Sequence, residues 1–105
     1  MTTVKFSVNG SEVYGFTVSG HSTNNCGDEN GRLVCSAVSS AAYMAANTIT
    51  EVVKAKAQVE VKDAYMSLKL TTECKEAGVI LKGFMLHMQQ LAEQYSNNIK
   101  VYSEV

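Results

Sequence analysis

The sequence contains no proline, and only three of its 105 residues are cysteine. The lack of proline is unusual but excludes no function. An odd cysteine count with no CxxC spacing speaks against a disulfide framework. Reduced thiols in turn point to a cytosolic, and so cytoplasmic, setting. Charge of one sign is equally scarce. The formal net charge is −1 with no long run of like charges, so nothing suggests a general affinity for nucleic acid or an acidic membrane surface. No apolar run approaches the length that crosses a bilayer. The start, Met1-Thr2-Thr3-Val4-Lys5, lacks the apolar core of a signal peptide, and none is expected. Low-complexity segments and linkers are missing too.

What is present is ordinary for a globular protein: 46% apolar and 18% charged residues. The length fits one domain over 1–105, with a core that needs no metal or disulfide staple. Val4, Phe6 and Val8 alternate with Lys5 and Ser7, the period of a half-buried strand. Asn9-Gly10 then marks a tight hairpin turn. Tyr14, Phe16 and Val18 alternate with Gly15 and Thr17 in a second strand, which ends at Ser19-Gly20. Residues 22–31 read as a loop, with Gly27 and Gly31 as bends. Its composition fits a plain surface connection or a moving lid equally well.

From Val34 the apolar positions change period. Val34, Val38, Ala41, Ala45, Ile49, Val52 and Val53 recur at helical spacing, and the helix is expected to end near Lys54–Lys56. Small residues fill its first half and permit close packing. Strands are expected at Val59–Val61 and Met66–Leu70, joined at Asp63-Ala64. Thr71 or Thr72 is positioned to cap a second helix bearing Ala77, Ile80, Leu81, Phe84, Met88, Leu91 and Tyr95 on one stripe. Ser96-Asn97-Asn98 stops it, and Ile99 and Val101 begin a closing strand. The order ββαββαβ predicts an α+β two-layer sandwich, a mixed sheet with two helices on one face.

The chemistry centres on His21, just past the second strand, and Cys35, near the expected start of the first helix. A thiol is a good nucleophile only as thiolate. A helix N-terminus and a nearby imidazole both lower its pKa. The pair therefore suggests nucleophilic catalysis: His21 holds the thiol proton, Cys35 attacks a carbonyl, a thioester forms, and His21 protonates the leaving amine. Backbone N–H groups at Cys35 and Ser36 are candidate oxyanion donors. The competing reading is a packed structural cysteine, since buried cysteines are common. His87, beside the apolar stripe of the second helix, reads as structural. Cys74 starts that helix with no histidine near it in sequence, and Cys26 is either a bystander or an oxidation partner for Cys35. His21, Cys26, Cys35, Cys74 and His87 match no common zinc spacing, and residues 27–31 lack the alternating ligands of a calcium loop. No metal or cofactor is expected.

Ser19-Gly20-His21, a glycine-containing loop and Val34-Cys35-Ser36-Ala37-Val38-Ser39 together resemble the ribosomal-processing cysteine protease family, Prp, over nearly the whole chain. The resemblance implies a cytosolic bacterial endopeptidase, a homodimer, that removes a short N-terminal extension from ribosomal protein bL27 after a phenylalanine. It implies no direct nucleic-acid or membrane partner. By the same resemblance His21 matches the family histidine and Cys35 the nucleophile. Gly20, Ser36 and Ser39 fall in the two motifs as supporting residues, Ser39 one helical turn beyond Cys35. One departure stands out. Arg32 occupies a position, three before the cysteine, where members often carry an acid; Asp28 and Glu29 are the nearby acidic substitutes. The alternative to a protease is a non-catalytic, ribosome-associated binding module.

Overall fold

The computed structural model describes residues 1–20 and 29–105. His21, Cys26, Asp28 and most of the expected loop lie outside the described residues. The elements are β1 (Thr2–Asn9), β2 (Glu12–Ser19), α1 (Glu29–Asn47), β3 (Ala57–Lys62), β4 (Tyr65–Leu70), α2 (Lys75–Gln94) and β5 (Ile99–Glu104), and α1 runs directly into a π-helical turn at Thr48–Val52. They form a five-stranded mixed sheet in the order β3-β4-β2-β1-β5. Only β1 and β5 pair in parallel; the other neighbours are antiparallel. This is the α+β sandwich that the order of elements predicts.

Strand alternation sets the two faces of the sheet. Val4, Phe6, Phe16, Val18, Met66 and Leu68 point to one side and bury against Val34, Val38, Ala42, Ala45 and Ile49 of the first helical segment and Ala77, Leu81, Phe84 and Met88 of α2. Phe84 is the keystone of the contact. Its ring meets Phe6 edge-on at 5.4 Å and Phe16 at 4.8 Å, an arrangement aromatic quadrupoles favour. The other face carries Lys5, Ser7, Thr17, Ser67 and Lys69 around a shallow depression of about 430 Å³.

Three local features differ from expectation, each for a physical reason. The β1–β2 register shifts between Ser7 and Val8, so that Val8 faces Val13 while Ser7 faces Gly15. The bulge drops Tyr14 from the inward row and puts Val13 in its place, 3% exposed. Tyr14 instead lies under the Lys69 ammonium. Second, α2 is capped by Cys74 in extended geometry with no side-chain cap bond, rather than by Thr71 or Thr72. Third, α1 begins by Glu29, five residues before Val34. Gly31 is buried within that helix, so it does not act as a loop bend. The hairpin turn holds, with Gly10 at φ +63°, and Ala64 takes the left-handed position of the second turn at φ +59°. The helical segment ends where Lys54 turns left-handed at φ 62°.

Candidate active site

Three chain segments converge at the end of the sheet where β1 begins. Thr2 pairs with Ile99 of β5, and its N–H donates to the Asn98 carbonyl at 3.0 Å. Being in phase with Val4 and Phe6, its side chain faces the helices, and Thr2 is only 2% exposed. There its hydroxyl meets the sulfur of Cys35 at 3.5 Å, joining positions 33 residues apart. Cys35 is itself 5% exposed.

On the other flank β2 runs antiparallel to β1 and delivers Gly20 to the same place. The Gly20 N–H donates to Ala64 O at 3.0 Å. Its φ is +73°, and a Cβ there would lie 2.6 Å from the Met1 carbonyl oxygen. Both the conformation and the close approach require glycine. Gly20, the residue before His21, is thus held against Met1, and Cys35 against Thr2. The His21 side chain lies outside the described residues. Ser39 follows Cys35 by one turn on the same side of α1 and is half-buried, whereas Ser36 is exposed.

The structure revises how the cysteine would be activated. Counted from Glu29, Cys35 is the seventh residue of α1, not a residue at its start. The field of a helix end fades within its first turn, so it gives Cys35 little help. At that depth the Cys35 and Ser36 N–H groups belong to the i→i−4 ladder and are not free to receive an oxyanion. Arg32 lies within the same helix and is exposed. The cysteine is also not a free thiol here. Cys35 is disulfide-bonded. An odd cysteine count speaks against a full framework of pairs but is compatible with a single pair, the oxidation of Cys35 that the sequence left open.

Cys74 is the free cysteine among the described residues. It stands at the opposite end of the sheet, beside a cleft of about 520 Å³ that Asn9 and Glu12 of the hairpin also line. Its thiol donates to Glu76 Oε2 at 3.5 Å. The described histidine, His87, is thirteen residues further along α2, roughly 20 Å at helical rise. His87 borders an apolar groove between α1 and α2 with Met44 and Gly83. Cys74 thus has a carboxylate beside it, but no histidine at hand among the described residues. Nor do those residues include a group of three or more His, Cys, Asp or Glu placed to share a metal ion. Among the described residues no helix is long and apolar enough to cross a membrane.

The sequence motifs flag Cys35 and Gly20 but not Thr2. The signal for Thr2 was available: it sits two residues before Val4 and continues the inward row of β1.

A family model described as cysteine protease Prp matches residues 1–100. The chain belongs to that family. It is, accordingly, a cysteine protease. Its fold is similar to that of the essential ribosomal processing protease Prp from Staphylococcus aureus in complex with a substrate peptide, with a TM-score of 0.88 and 22% identity over 99% of this chain and 100% of that one. The same protease with a covalently linked product peptide gives a TM-score of 0.84 at 23% identity, over 99% and 100% of the two chains. SMU.848 from Streptococcus mutans gives 0.86 at 18% identity, over 98% and 96%. No curated protein sequence matches this chain. Membership of Prp decides between a protease and a non-catalytic module in favour of the protease.

Proposed function

We propose that the chain is a single-domain cytoplasmic endopeptidase that removes the N-terminal extension of ribosomal protein bL27, with Cys35 as nucleophile and His21 as its base. The observation that carries this reading is the convergence at Met1–Thr2. Gly20 is fixed against Met1 and Cys35 touches Thr2, so Gly20 and the Cys35 sulfur belong to one end of the sheet. Cys74, the competing cysteine, is at the other end. The Prp of Staphylococcus aureus, seen with a substrate peptide and with a covalently linked product peptide, supports a covalent route for its relatives.

In this reading reduction first frees the Cys35 thiol, and His21 takes its proton. The thiolate attacks the scissile carbonyl and the C–N bond breaks to leave a thioester, while the imidazolium proton passes to the departing amine. Water, deprotonated by His21, then hydrolyses the thioester and restores the thiol. Gly20 sets the direction in which His21 leaves β2. Ser39 lines the helix one turn on from the nucleophile, and Ser36 lies exposed beside it. Arg32 leaves the third member of a catalytic set to another group. The homodimer and the cytoplasmic location rest on the family resemblance.

Incubation of the reduced protein with bL27 carrying its extension, read by mass spectrometry, tests this function. The expected result is one cut that releases the extension, abolished by Cys35→Ala and by His21→Ala. Intact bL27 with the wild-type protein, or undiminished cleavage by Cys35→Ala, contradicts it.

A further inference from the structure

Cys35 lacks one aid that its place in the sequence suggests, and its burial adds a cost. It is not in the first turn of α1, and its burial disfavours a negative sulfur. A hydrogen-bond donor to the sulfur would add to what the proposed His21 imidazole supplies. Among the described residues the Thr2 hydroxyl touches the sulfur at 3.5 Å, within contact range for a sulfur acceptor. A disulfide sulfur carries no hydrogen, so in the oxidised state described here Thr2 is the donor.

We propose that Thr2 is a thiolate-stabilising residue of the active site, donating its hydroxyl hydrogen bond to the ionised Cys35 sulfur once the disulfide is reduced. This rests on Cys35 being the nucleophile. Three features suit Thr2 to the task. Its backbone is tied to β5 through the Asn98 carbonyl and the Ile99 pairing, so the donor does not drift. It is 2% exposed, so water competes little for the hydroxyl. It is the buried polar residue of the described core, placed in a row otherwise filled by Val4 and Phe6. A hydroxyl there is costly to bury without a partner, and the sulfur is that partner.

A hydrogen bond to the charged form favours that form and lowers the pKa; with an ionised acceptor it is about twice as strong as a neutral one. No proton is transferred to or from Thr2. The thiol proton leaves to the base, and the hydroxyl strengthens its existing bond as charge develops on sulfur.

The test is the rate of Cys35 alkylation by iodoacetamide against pH in the reduced full chain, with the modified cysteine identified by peptide mapping. Thr2→Val removes the hydroxyl at nearly constant shape, Thr2→Ala removes it without crowding, and Thr2→Ser keeps it. Both hydroxyl-free variants are expected to raise the apparent thiol pKa by about one unit, lowering the alkylation rate at neutral pH about tenfold. Thr2→Ser is expected to stay near wild type, and kcat on a bL27-derived peptide should fall in Thr2→Val with little change in KM. Profiles of Thr2→Val and Thr2→Ala that superimpose on wild type overturn the proposal, as does a Thr2→Ser profile that matches Thr2→Val. If neither hydroxyl-free variant folds, titration of Cys35 in His21→Ala decides: an apparent pKa still below the ordinary thiol value supports the proposal, and one at or above it overturns the proposal. Failure of the protease reading looks different, because wild type would then leave bL27 intact, or Cys35→Ala would still cleave it, whatever the Thr2 variants do to the thiol.

Discussion

Thr2 Oγ1 lies 3.5 Å from Cys35 Sγ, and this contact ties the first strand of the sheet to the first helix at the end where Gly20 also arrives. The nucleophile proposed here is therefore held by the core and not by a surface loop. That has consequences for its chemistry, its redox state and its tolerance of change.

Redox state comes first. Cys35 is disulfide-bonded, so its sulfur cannot attack a carbonyl until the bond is cleaved. Protein purified without reductant is expected to show almost no peptidase activity and to gain it on treatment with a phosphine or dithiothreitol. Activation should track the mass increase of two hydrogens. Full activity in protein whose Cys35 is shown by peptide mapping to be still disulfide-bonded would contradict Cys35 as the nucleophile.

Gly20 permits a second test. At φ +73° an L-residue is strained by about 1–3 kcal/mol from the backbone alone. The added Cβ would also meet the Met1 carbonyl oxygen at 2.6 Å. Gly20→Ala is expected to lower stability in urea by at least that strain and to depress activity further than the stability loss explains, because it redirects the chain at His21. Unchanged activity with unchanged stability would show that the Met1–Gly20 approach is not required.

Phe84 provides a control that separates scaffold from site. It is 5% exposed and meets Phe6 and Phe16 edge-on, and Phe6 lies four residues along β1 from Thr2. Phe84→Ala is expected to cost about 3–5 kcal/mol in urea or thermal unfolding through lost burial and cavity formation. Below its unfolding transition the variant should retain the pH dependence of Cys35 alkylation. A loss smaller than about 1 kcal/mol would mean that the two helices close over the gap.

Much of this architecture is written in local patterns. The alternation of Val4 with Phe6 and of Met66 with Leu68 marks strands that form as expected, and the turn at Asp63-Ala64 falls where predicted. The misses have tertiary causes. The bulge after Ser7 depends on how β1 and β2 pair, so Tyr14 looked like a core residue until Val13 took that place. The stretch Glu29-Asn30-Gly31 carries turn-forming residues, yet it is helical because Gly31 packs into the core. For the site, the motifs around His21 and Cys35 identify candidate residues. The Thr2–Cys35 contact spans 33 positions and follows from the order of strands, which no local pattern reveals.

The role of Cys35 is tested most directly by trapping the acyl-enzyme. Reduced protein mixed with a slowly hydrolysed peptide from the bL27 junction and quenched in acid within the first turnover is expected to carry the peptide's acyl portion as a thioester on Cys35, found by tandem mass spectrometry and sensitive to hydroxylamine. His21→Ala should form it far more slowly. Cleavage at the wild-type rate with no acyl group on Cys35, or with the group on Cys74, would contradict Cys35 as the nucleophile.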